Sequence, residues 1–152
     1  VVEVGTLGGY SAIAMARGIP AAGRVVSLEL ERSHAEFARE WVAKSDQAGK
    51  IEIRIGDAAK TMADLPDDSI DAVFLDANKS GYVTYMKHAL RLLRPGGILL
   101  ADNVLAGGQV ADGDGETEVA IRAFLDAAMA APNLQSVIVP LGDGLFFGVK
   151  SD

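Results

Sequence analysis

The chain has 152 residues, which is enough for one domain with a sizeable core, and we expect a single domain over residues 1–152. Its net charge of −7 argues against non-specific binding to nucleic acid and against binding to anionic membranes, because both require basic surface. The absence of cysteine excludes disulfides, thiolate nucleophiles and cysteine-ligated zinc, and no apolar run approaches the roughly 20 residues of a membrane span.

Apolar runs alternate with amphipathic stretches along the chain, which indicates strands that alternate with helices. The pattern predicts five strands, over residues 1–4, 24–30, 51–55, 70–76 and 98–104. It also predicts helices over residues 10–17, 33–45, 79–93 and 117–131, with a short helix after Asp57. Residues 106–115 are predicted as a polar glycine-rich loop, and residues 136–150 as a hairpin whose two strands are joined by Gly-Asp-Gly.

Local signals refine the predicted helices. Ser33 is the predicted N-cap of the second helix, with Glu36 completing a capping box. Phe37 and Trp41 are predicted to pack together in the core from the apolar face of that helix. The run Arg-Pro-Gly-Gly at residues 94–97 is predicted to end the next long helix before the fifth strand.

Buried strands that alternate with helices predict an α/β fold, in which a mostly parallel sheet carries helices on both faces. The terminal hairpin adds antiparallel pairing at one edge of that sheet. Ligands bind such folds beyond the carboxyl ends of the strands, so the residues that directly follow each strand are the candidates for function.

The segment after the first strand reads EVGTLGGYS. Its glycines, Gly5, Gly8 and Gly9, allow the backbone to approach a ligand closely at a helix N-terminus. Leu7 occupies the second glycine position of the dinucleotide fingerprint G-x-G-x-x-G, which disfavours a nicotinamide-dependent oxidoreductase. Glu3 precedes the turn, and an acid there suits a cationic ligand better than a phosphate. A tight turn that only packs helix on sheet is the alternative.

Acidic residues also end the next two strands. Glu29 can accept both hydroxyls of a ribose, and Asp57 can accept a hydrogen bond from an adenine amino group. A solvated charge is the alternative for Glu29. A helix N-cap is the alternative for Asp57, although a cap uses only one carboxylate oxygen and both roles can hold.

Oxygen ligands follow the fourth and fifth strands. Asp76 ends one strand, and Asp102 with Asn103 end the other, so the three side chains can converge on one cation. Two carboxylates and an amide suit Mg²⁺ or Ca²⁺ better than zinc. Helix capping is the alternative for any one of them. Lys79 follows Asp76 by three residues and is a further candidate for function. A surface salt bridge with that aspartate is the alternative to a functional role for Lys79.

Together the motifs EVGTLGGYSA, LELE, GDA, DANKSGY and RPGGILLADNVL resemble those of the metal-dependent class I O-methyltransferases, the family of the catechol and caffeoyl-CoA O-methyltransferases and their bacterial relatives. The most specific element is D-x-x-K-x-x-Y, followed one helix later by D-N. The resemblance covers nearly the whole chain. It implies one methyltransferase domain with a Rossmann-like, seven-stranded, mostly parallel sheet.

The resemblance implies S-adenosylmethionine as the methyl donor and a divalent cation, Mg²⁺, at the site. The residues that match cofactor-binding positions are Glu3, Gly5, Gly9, Ser11, Glu29, Leu30, Asp57, Ala58 and Asp76. Asp76, Asp102 and Asn103 match the family's metal ligands. Lys79 matches the base, beside Tyr82, and Asp76 is its partner in catalysis. A lysine near a cation has a lowered pKa and can accept a proton from an acceptor hydroxyl that the cation has acidified.

The implied acceptor is a small phenol with two adjacent hydroxyls, and the implied assembly is a homodimer. Two other functions stay open: methylation of a hydroxylated tRNA base, which the acidic charge disfavours, and a non-catalytic nucleotide-binding module.

The lack of disulfides fits a reducing compartment, so we expect a cytoplasmic protein. The chain opens inside a predicted strand, so we expect the family's N-terminal helices, which cap the active site, to belong to a longer protein.

Overall fold

The protein forms one seven-stranded sheet in a computed structural model that describes residues 1–152. The strands are β1 (Val2–Val4), β2 (Val25–Glu29), β3 (Ile51–Ile55), β4 (Ile70–Leu75), β5 (Leu93–Ala101), β6 (Leu134–Val139) and β7 (Leu145–Lys150). Their order across the sheet is β3-β2-β1-β4-β5-β7-β6. The first five strands pair in parallel, and β7 is antiparallel to both β5 and β6. The predicted parallel sheet with a terminal antiparallel hairpin is confirmed.

Five helices cover the sheet: α1 (Tyr10–Gly18), α2 (Arg32–Lys44), α3 (Ala58–Ala63), α4 (Tyr82–Leu92) and α5 (Glu116–Ala130). Val25 and Leu28 of β2 are an odd number of positions apart, so their side chains point to opposite faces of the sheet. Val25 packs with α1, and Leu28 belongs to the larger core that α3, α4 and α5 share with the strands. Helices therefore lie on both faces, as predicted. None of them has the length and apolarity needed to cross a bilayer.

The register of the strands brings their carboxyl ends to one edge. Val4 of β1 lies between Leu28 of β2 and Leu75 of β4, and Leu75 in turn pairs with Ala101 of β5. The segments that follow these four strands consequently start side by side. This edge is where the sequence predicts the functional residues.

Three aromatic rings support the start of α4. Phe124 of α5 packs edge-on against Tyr82, with ring centroids 5.4 Å apart, and against Phe146 of β7 at 4.9 Å. Phe124 and Tyr82 are fully buried. Such pairs add about 0.5–1.5 kcal/mol beyond the burial itself. The packing fixes Tyr82, whose hydroxyl enters the candidate site described below.

The start of α2 differs from the prediction. The helix begins at Arg32, and Glu31 occupies the N-cap position without a side-chain cap bond, so the predicted capping box of Ser33 and Glu36 is wrong. The backbone N–H of Glu31 instead donates to the carboxylate of Glu29 at 3.0 Å. That bond turns the chain into the helix before Ser33 is reached.

The predicted core pair of α2 is also wrong. Phe37 and Trp41 pack edge-on against each other, but their exposed fractions are 54% and 50%. The sheet-facing side of the helix is formed by smaller residues: Ala35, Ala38 and Val42. Small side chains bring α2 close to the sheet, which leaves the two large rings outside.

The fifth strand begins earlier than predicted. Leu93 already pairs with Ile70, and the next pair is Ala72 with Ile98, so residues 94–97 form a bulge within β5. Gly96 adopts a φ of 77° in this bulge. The Pro-Gly-Gly run thus ends α4 at Leu92, as expected of a helix terminator, without ending the pairing of the chain with β4.

Candidate active site

The turn after β1 is shaped by its neighbour β4. Gly5 has a φ of 102°, and a Cβ at this position would lie 2.2 Å from the carbonyl oxygen of Asp76. Only glycine fits there without displacing the end of β4. Leu7 and Gly9 also have positive φ, at 45° and 77°, so the turn is tightly wound before α1 begins.

Glu29, at the end of the adjacent strand β2, stabilises this turn through hydrogen bonds. Its Oε2 accepts the backbone N–H groups of Thr6 at 3.1 Å and Leu7 at 2.8 Å, and its Oε1 accepts that of Glu31. Burial acts to raise the pKa of Glu29, but these backbone donors outweigh it, so the pKa lies below its usual value. The sequence predicts a ribose ligand at this position, and the structure adds a second role as the anchor of the turn.

Glu3 lies beneath the turn, fully buried. Its Oε2 accepts a hydrogen bond from the Ser27 hydroxyl, which also contacts the Thr6 hydroxyl, whereas its Oε1 has no hydrogen-bond partner. Burial raises the pKa of Glu3, and the hydroxyls of Ser11 and Ser27 partly oppose the shift. The charges of nearby acids raise it further. An unpaired buried carboxylate oxygen among other acids fits a cationic ligand nearby and does not fit a phosphate.

A cavity of about 520 Å³ opens beyond the ends of β1, β2 and β3. Six of the nine predicted cofactor-binding residues line it: Gly5, Glu29, Leu30, Asp57, Ala58 and Asp76. Glu3, Gly9 and Ser11 lie outside this lining. Gly9 instead faces Ala38 and Val42, where a Cβ would be 3.4–3.5 Å from their side chains, so its position fits the packing of α1 on α2.

Asp57 caps α3, and this alternative for the residue is confirmed. Its Oδ1 accepts the backbone N–H of Ala59 at 2.8 Å. The side chain also lies on the cavity wall, which leaves Oδ2 for a ligand. Its proposed contact with an adenine stays a prediction.

Several lining residues were not predicted as ligands, among them His34 and Tyr85. The sequence indicates a solvated or capping role for His34 and no ligand role for Tyr85. His34 Nδ1 lies 3.7 Å from Glu29 Oε1. The residues directly after Asp76, Ala77 and Asn78, also line the cavity. Position after a strand was a usable signal for those two, whereas His34 and Tyr85 project from helices and give no such signal.

A second cavity of about 450 Å³ lies beside the first. Its wall includes Ser11, Asp76 and Asp102 together with apolar side chains of α1, β4, β5 and β7. Asp76 lines both cavities, so they meet at this residue. Two reactants bound in the two cavities would meet beside Asp76.

The residues predicted to hold a cation fit that role chemically. Burial raises the pKa of Asp76, and the neighbouring charge of Asp102 raises it further, so the two carboxylates repel each other. Asn103 follows directly, with a φ of 58°. The structure contains no group of three or more His, Cys, Asp or Glu side chains that could hold a metal ion, so the two carboxylates would need a further ligand, for which the amide oxygen of Asn103 is the candidate. A hard cation accepts such a ligand set and relieves the repulsion.

Lys79 is held at the same edge by neutral oxygens. Its Nζ donates to the Tyr82 hydroxyl and, at 2.7 Å, to the backbone carbonyl of Asp102. The Tyr82 hydroxyl donates to the Leu75 carbonyl at 2.9 Å, which leaves its oxygen to accept from Lys79. The alternative of a salt bridge with Asp76 is wrong, because the seven ion pairs of the structure do not include one between these residues.

The environment of Lys79 favours the neutral amine. Burial lowers the pKa of Lys79, and the charges of Asp76, Asp102 and Asp143 oppose the shift. Burial also raises the pKa of Tyr82 well above its usual value, so the phenol stays protonated and donates to Leu75. The arrangement presents an amine that can accept a proton beside the junction of the two cavities.

Comparison with known proteins identifies the family of the chain. The O-methyltransferase family model matches residues 1–151. The catechol O-methyltransferase of Mycobacterium tuberculosis is 39% identical over 140 residues, covering 91% of this chain and 64% of that protein. The catechol O-methyltransferase of Niastella koreensis is 37% identical over 160 residues, covering 98% of this chain and 72% of that protein.

A solved structure shares the fold as well. The O-methyltransferase TomG of Streptomyces achromogenes, involved in tomaymycin synthesis and solved in complex with SAM, superimposes with a TM-score of 0.90 and 34% identity, covering 99% of this chain and 72% of that one. The chain spans slightly less than two thirds of the length of the M. tuberculosis relative. A match over nearly all of its own residues, in sequence and in fold, is sufficient for one conclusion: the chain belongs to the O-methyltransferase family.

Proposed function

We propose that this protein transfers the methyl group of S-adenosylmethionine to one hydroxyl of a catechol-type acceptor, with a divalent cation bound beside the reactants. The observation that carries the proposal is the position of Asp76, which lines both cavities while Lys79 lies at the same edge. In-line transfer requires the acceptor oxygen and the methyl carbon to be held together, and adjoining cavities with a shared wall provide that proximity.

The larger cavity is the proposed site of S-adenosylmethionine. Glu29 would share its carboxylate between the turn and the ribose hydroxyls, and Asp57 has one carboxylate oxygen that does not take part in the cap. Leu30 is 67% exposed on the cavity wall and is available to pack against an adenine ring. Acidic Glu3 and Asp76 near the turn suit a ligand that carries positive charge. The M. tuberculosis and Niastella relatives are methyltransferases, and the Streptomyces enzyme was solved in complex with SAM.

Asp76, Asp102 and Asn103 are the residues that would hold the cation, and Mg²⁺ is the proposed ion. When bound, the ion would lower the pKa of the adjacent hydroxyls of the acceptor, since a phenol is largely neutral near pH 7. Asp102 is prepared for this role by its own backbone neighbour: its Oδ1 accepts the N–H of Asn103 at 2.9 Å, which fixes the carboxylate.

Lys79 is the proposed base. Its amine donates hydrogen bonds to the Tyr82 hydroxyl and to the Asp102 carbonyl and forms no ion pair. No ion pair therefore has to be broken before the amine meets an acceptor hydroxyl beside Asp102. A positioned base typically contributes about 10²- to 10⁴-fold to the rate. The neutral form of the amine, which burial favours, is the form that removes the proton.

The acceptor is proposed to occupy the second cavity. Phe74, Leu100 and Leu145 give it apolar walls, and the carboxylates of Asp76 and Asp102 lie at one end. An aromatic ring with two adjacent hydroxyls matches an open apolar groove with a polar end. Two relatives named catechol O-methyltransferase support this choice of acceptor.

The test is transfer of a labelled methyl group from S-adenosylmethionine to a panel of phenols, with Mg²⁺ and then with EDTA. We expect transfer to catechols that requires the metal, and no transfer to phenols with a single hydroxyl. Transfer that is insensitive to EDTA would refute the cation site. Binding of S-adenosylmethionine without transfer to any catechol would refute the proposed acceptor.

A further inference from the structure

The turn between β6 and β7 reaches back to the segment that follows β5. The backbone N–H of Leu105 donates to the carbonyl of Asp143, and that of Val104 donates to the carbonyl of Gly144, each at 3.0 Å. The N–H of Gly107 donates to both carboxylate oxygens of Asp143, at 2.9 and 3.0 Å. Asp143 therefore holds this segment through its main chain and through its side chain.

The segment held in this way has an unfavourable backbone conformation. Asn103 and Ala106 have φ angles of 58° and 51°. Asparagine tolerates this left-handed region better than other residues with a Cβ, whereas alanine rarely occupies it and stays there only where surrounding contacts enforce it. Val104, the first residue that the turn fixes, directly follows Asn103. The backbone that directly follows Asn103 is thus held by contacts that come from about forty residues further along the chain.

The turn is packed tightly against the same segment. Gly144 has a φ of 80°, and a Cβ on it would lie 2.4 Å from Cγ of Leu105. The charge of Asp143 also acts to raise the pKa of Lys79, against the lowering by burial. The turn consequently borders the candidate active site on the side of Asp102 and Asn103.

We propose that Asp143 is a positioning residue for the cation site: by holding residues 104–108, it sets the backbone from which the Asn103 amide reaches the ion. The proposal rests on the proposed function, because it takes Asn103 as a metal ligand. Asp143 itself touches neither the ion nor the acceptor in this role. Side chains that orient metal ligands typically change metal affinity by about 10- to 100-fold when they are removed.

Asp143→Ala removes both acceptor oxygens, and Asp143→Asn keeps one for the N–H of Gly107. Asp126→Asn is the matched control, because Asp126 is an exposed carboxylate on α5 that takes part in none of the ion pairs or side-chain hydrogen bonds of the structure. Each variant is compared with the wild-type chain by titration with Mn²⁺ alone, followed by electron paramagnetic resonance. Calorimetric titration with S-adenosylmethionine and amide hydrogen exchange at Gly107 complete the set.

We expect Asp143→Ala to accelerate exchange at Gly107 and to weaken Mn²⁺ binding by about 10-fold or more, with S-adenosylmethionine affinity within about twofold of wild type. Asp143→Asn should fall between wild type and Asp143→Ala, and Asp126→Asn should match wild type. Unchanged Mn²⁺ affinity in Asp143→Ala despite faster exchange would overturn the proposal, since Asp143 would then only stabilise a turn. An equal loss of both affinities would also overturn it. A wild-type chain that binds no Mn²⁺ would instead refute the metal assignment of the proposed function.

Discussion

The backbone carbonyl of Asp76 occupies the space that a side chain on Gly5 would need, 2.2 Å from the ideal Cβ position. The two residues end neighbouring parallel strands, since β1 pairs with β4. The absence of a side chain at Gly5 therefore allows Asp76 to stand at the junction of the two cavities.

Gly5→Ala should displace Asp76 and strain the turn. The added Cβ meets backbone, which cannot rotate away, and a φ of 102° is unfavourable for alanine. We expect a loss of roughly 2 kcal/mol or more in the free energy of unfolding, or about 4–8 °C in melting temperature, together with weaker S-adenosylmethionine binding. Thermal unfolding and calorimetric titration measure the two effects. Gly49→Ala is the control, because nothing lies within 4 Å of a Cβ at that position, and a similar loss there would remove the steric explanation.

Glu29→Gln should loosen the turn after β1. The substitution removes the charge from an acceptor of three backbone N–H groups, and hydrogen bonds to charged acceptors contribute roughly 1.5–3 kcal/mol. We expect a lower free energy of unfolding, faster amide exchange at Thr6 and Leu7, and weaker cofactor binding. Denaturant titration and hydrogen exchange are the measurements. Glu40→Gln makes the same chemical change at an exposed position of α2, and equal effects of the two substitutions would contradict the anchoring role.

Lys79→Ala and Lys79→Arg together distinguish a role of Lys79 as a base from a role of its positive charge. Arginine keeps a positive charge and hydrogen-bond donors but cannot act as a base, since its pKa lies above 12. We expect both variants to lose about 10²-fold or more of the methyl-transfer rate while S-adenosylmethionine affinity is retained. Single-turnover transfer and calorimetric titration test this. Substantial activity in Lys79→Arg would show that the charge, and not the base, is what the reaction uses.

Glu3→Gln should change how stability depends on pH. Burial raises the pKa of Glu3 above its ordinary value of 4.5, so the acid is protonated in both states at low pH and imposes no penalty there. As pH rises through the folded pKa, the buried carboxyl must ionise at a cost, and the stability present at low pH is lost. The free energy of unfolding of the variant relative to wild type should therefore increase as pH rises from the ordinary value of 4.5 through the raised folded pKa. Parallel denaturant titrations measure this difference. Glu40→Gln, at an exposed position, is the control, and its difference from wild type in the free energy of unfolding should not change with pH. A difference for Glu3→Gln that also does not change with pH would contradict the buried-acid interpretation.

Much of the fold follows from local pattern. Apolar runs, helix terminators and the Gly-Asp-Gly turn predict the strands and helices to within a few residues, because each signal acts over one element. Pattern alone does not give the order of the strands. β7 inserts between β5 and β6, and that arrangement depends on contacts between distant segments. The predicted N-cap at Ser33 is wrong for a different, local reason: the carboxylate of Glu29 accepts the backbone N–H of Glu31, only two residues away, and the helix begins at Arg32.

For the candidate site, too, local pattern predicts some residues, and contacts between distant segments determine the others. Residues that directly follow strands, such as Asp76 and Asp102, could be named from sequence because parallel topology gathers strand ends. Asp143 could not, since its contact with Gly107 joins positions 36 residues apart. His34 and Tyr85 reach the cavity from helices, where sequence does not say which side chain faces a ligand.

The shared wall at Asp76 has a thermodynamic consequence for the order of binding. A ligand that changes the charge or position of this carboxylate from one cavity changes the affinity of the other cavity. Such coupling is reciprocal: whatever factor a ligand in one cavity applies to the affinity of the other cavity, a ligand in the other applies in return. Because one residue lines both cavities, the affinities of the proposed donor and acceptor sites cannot be optimised independently. A substitution at Asp76 should alter the cooperativity between them as well as each affinity.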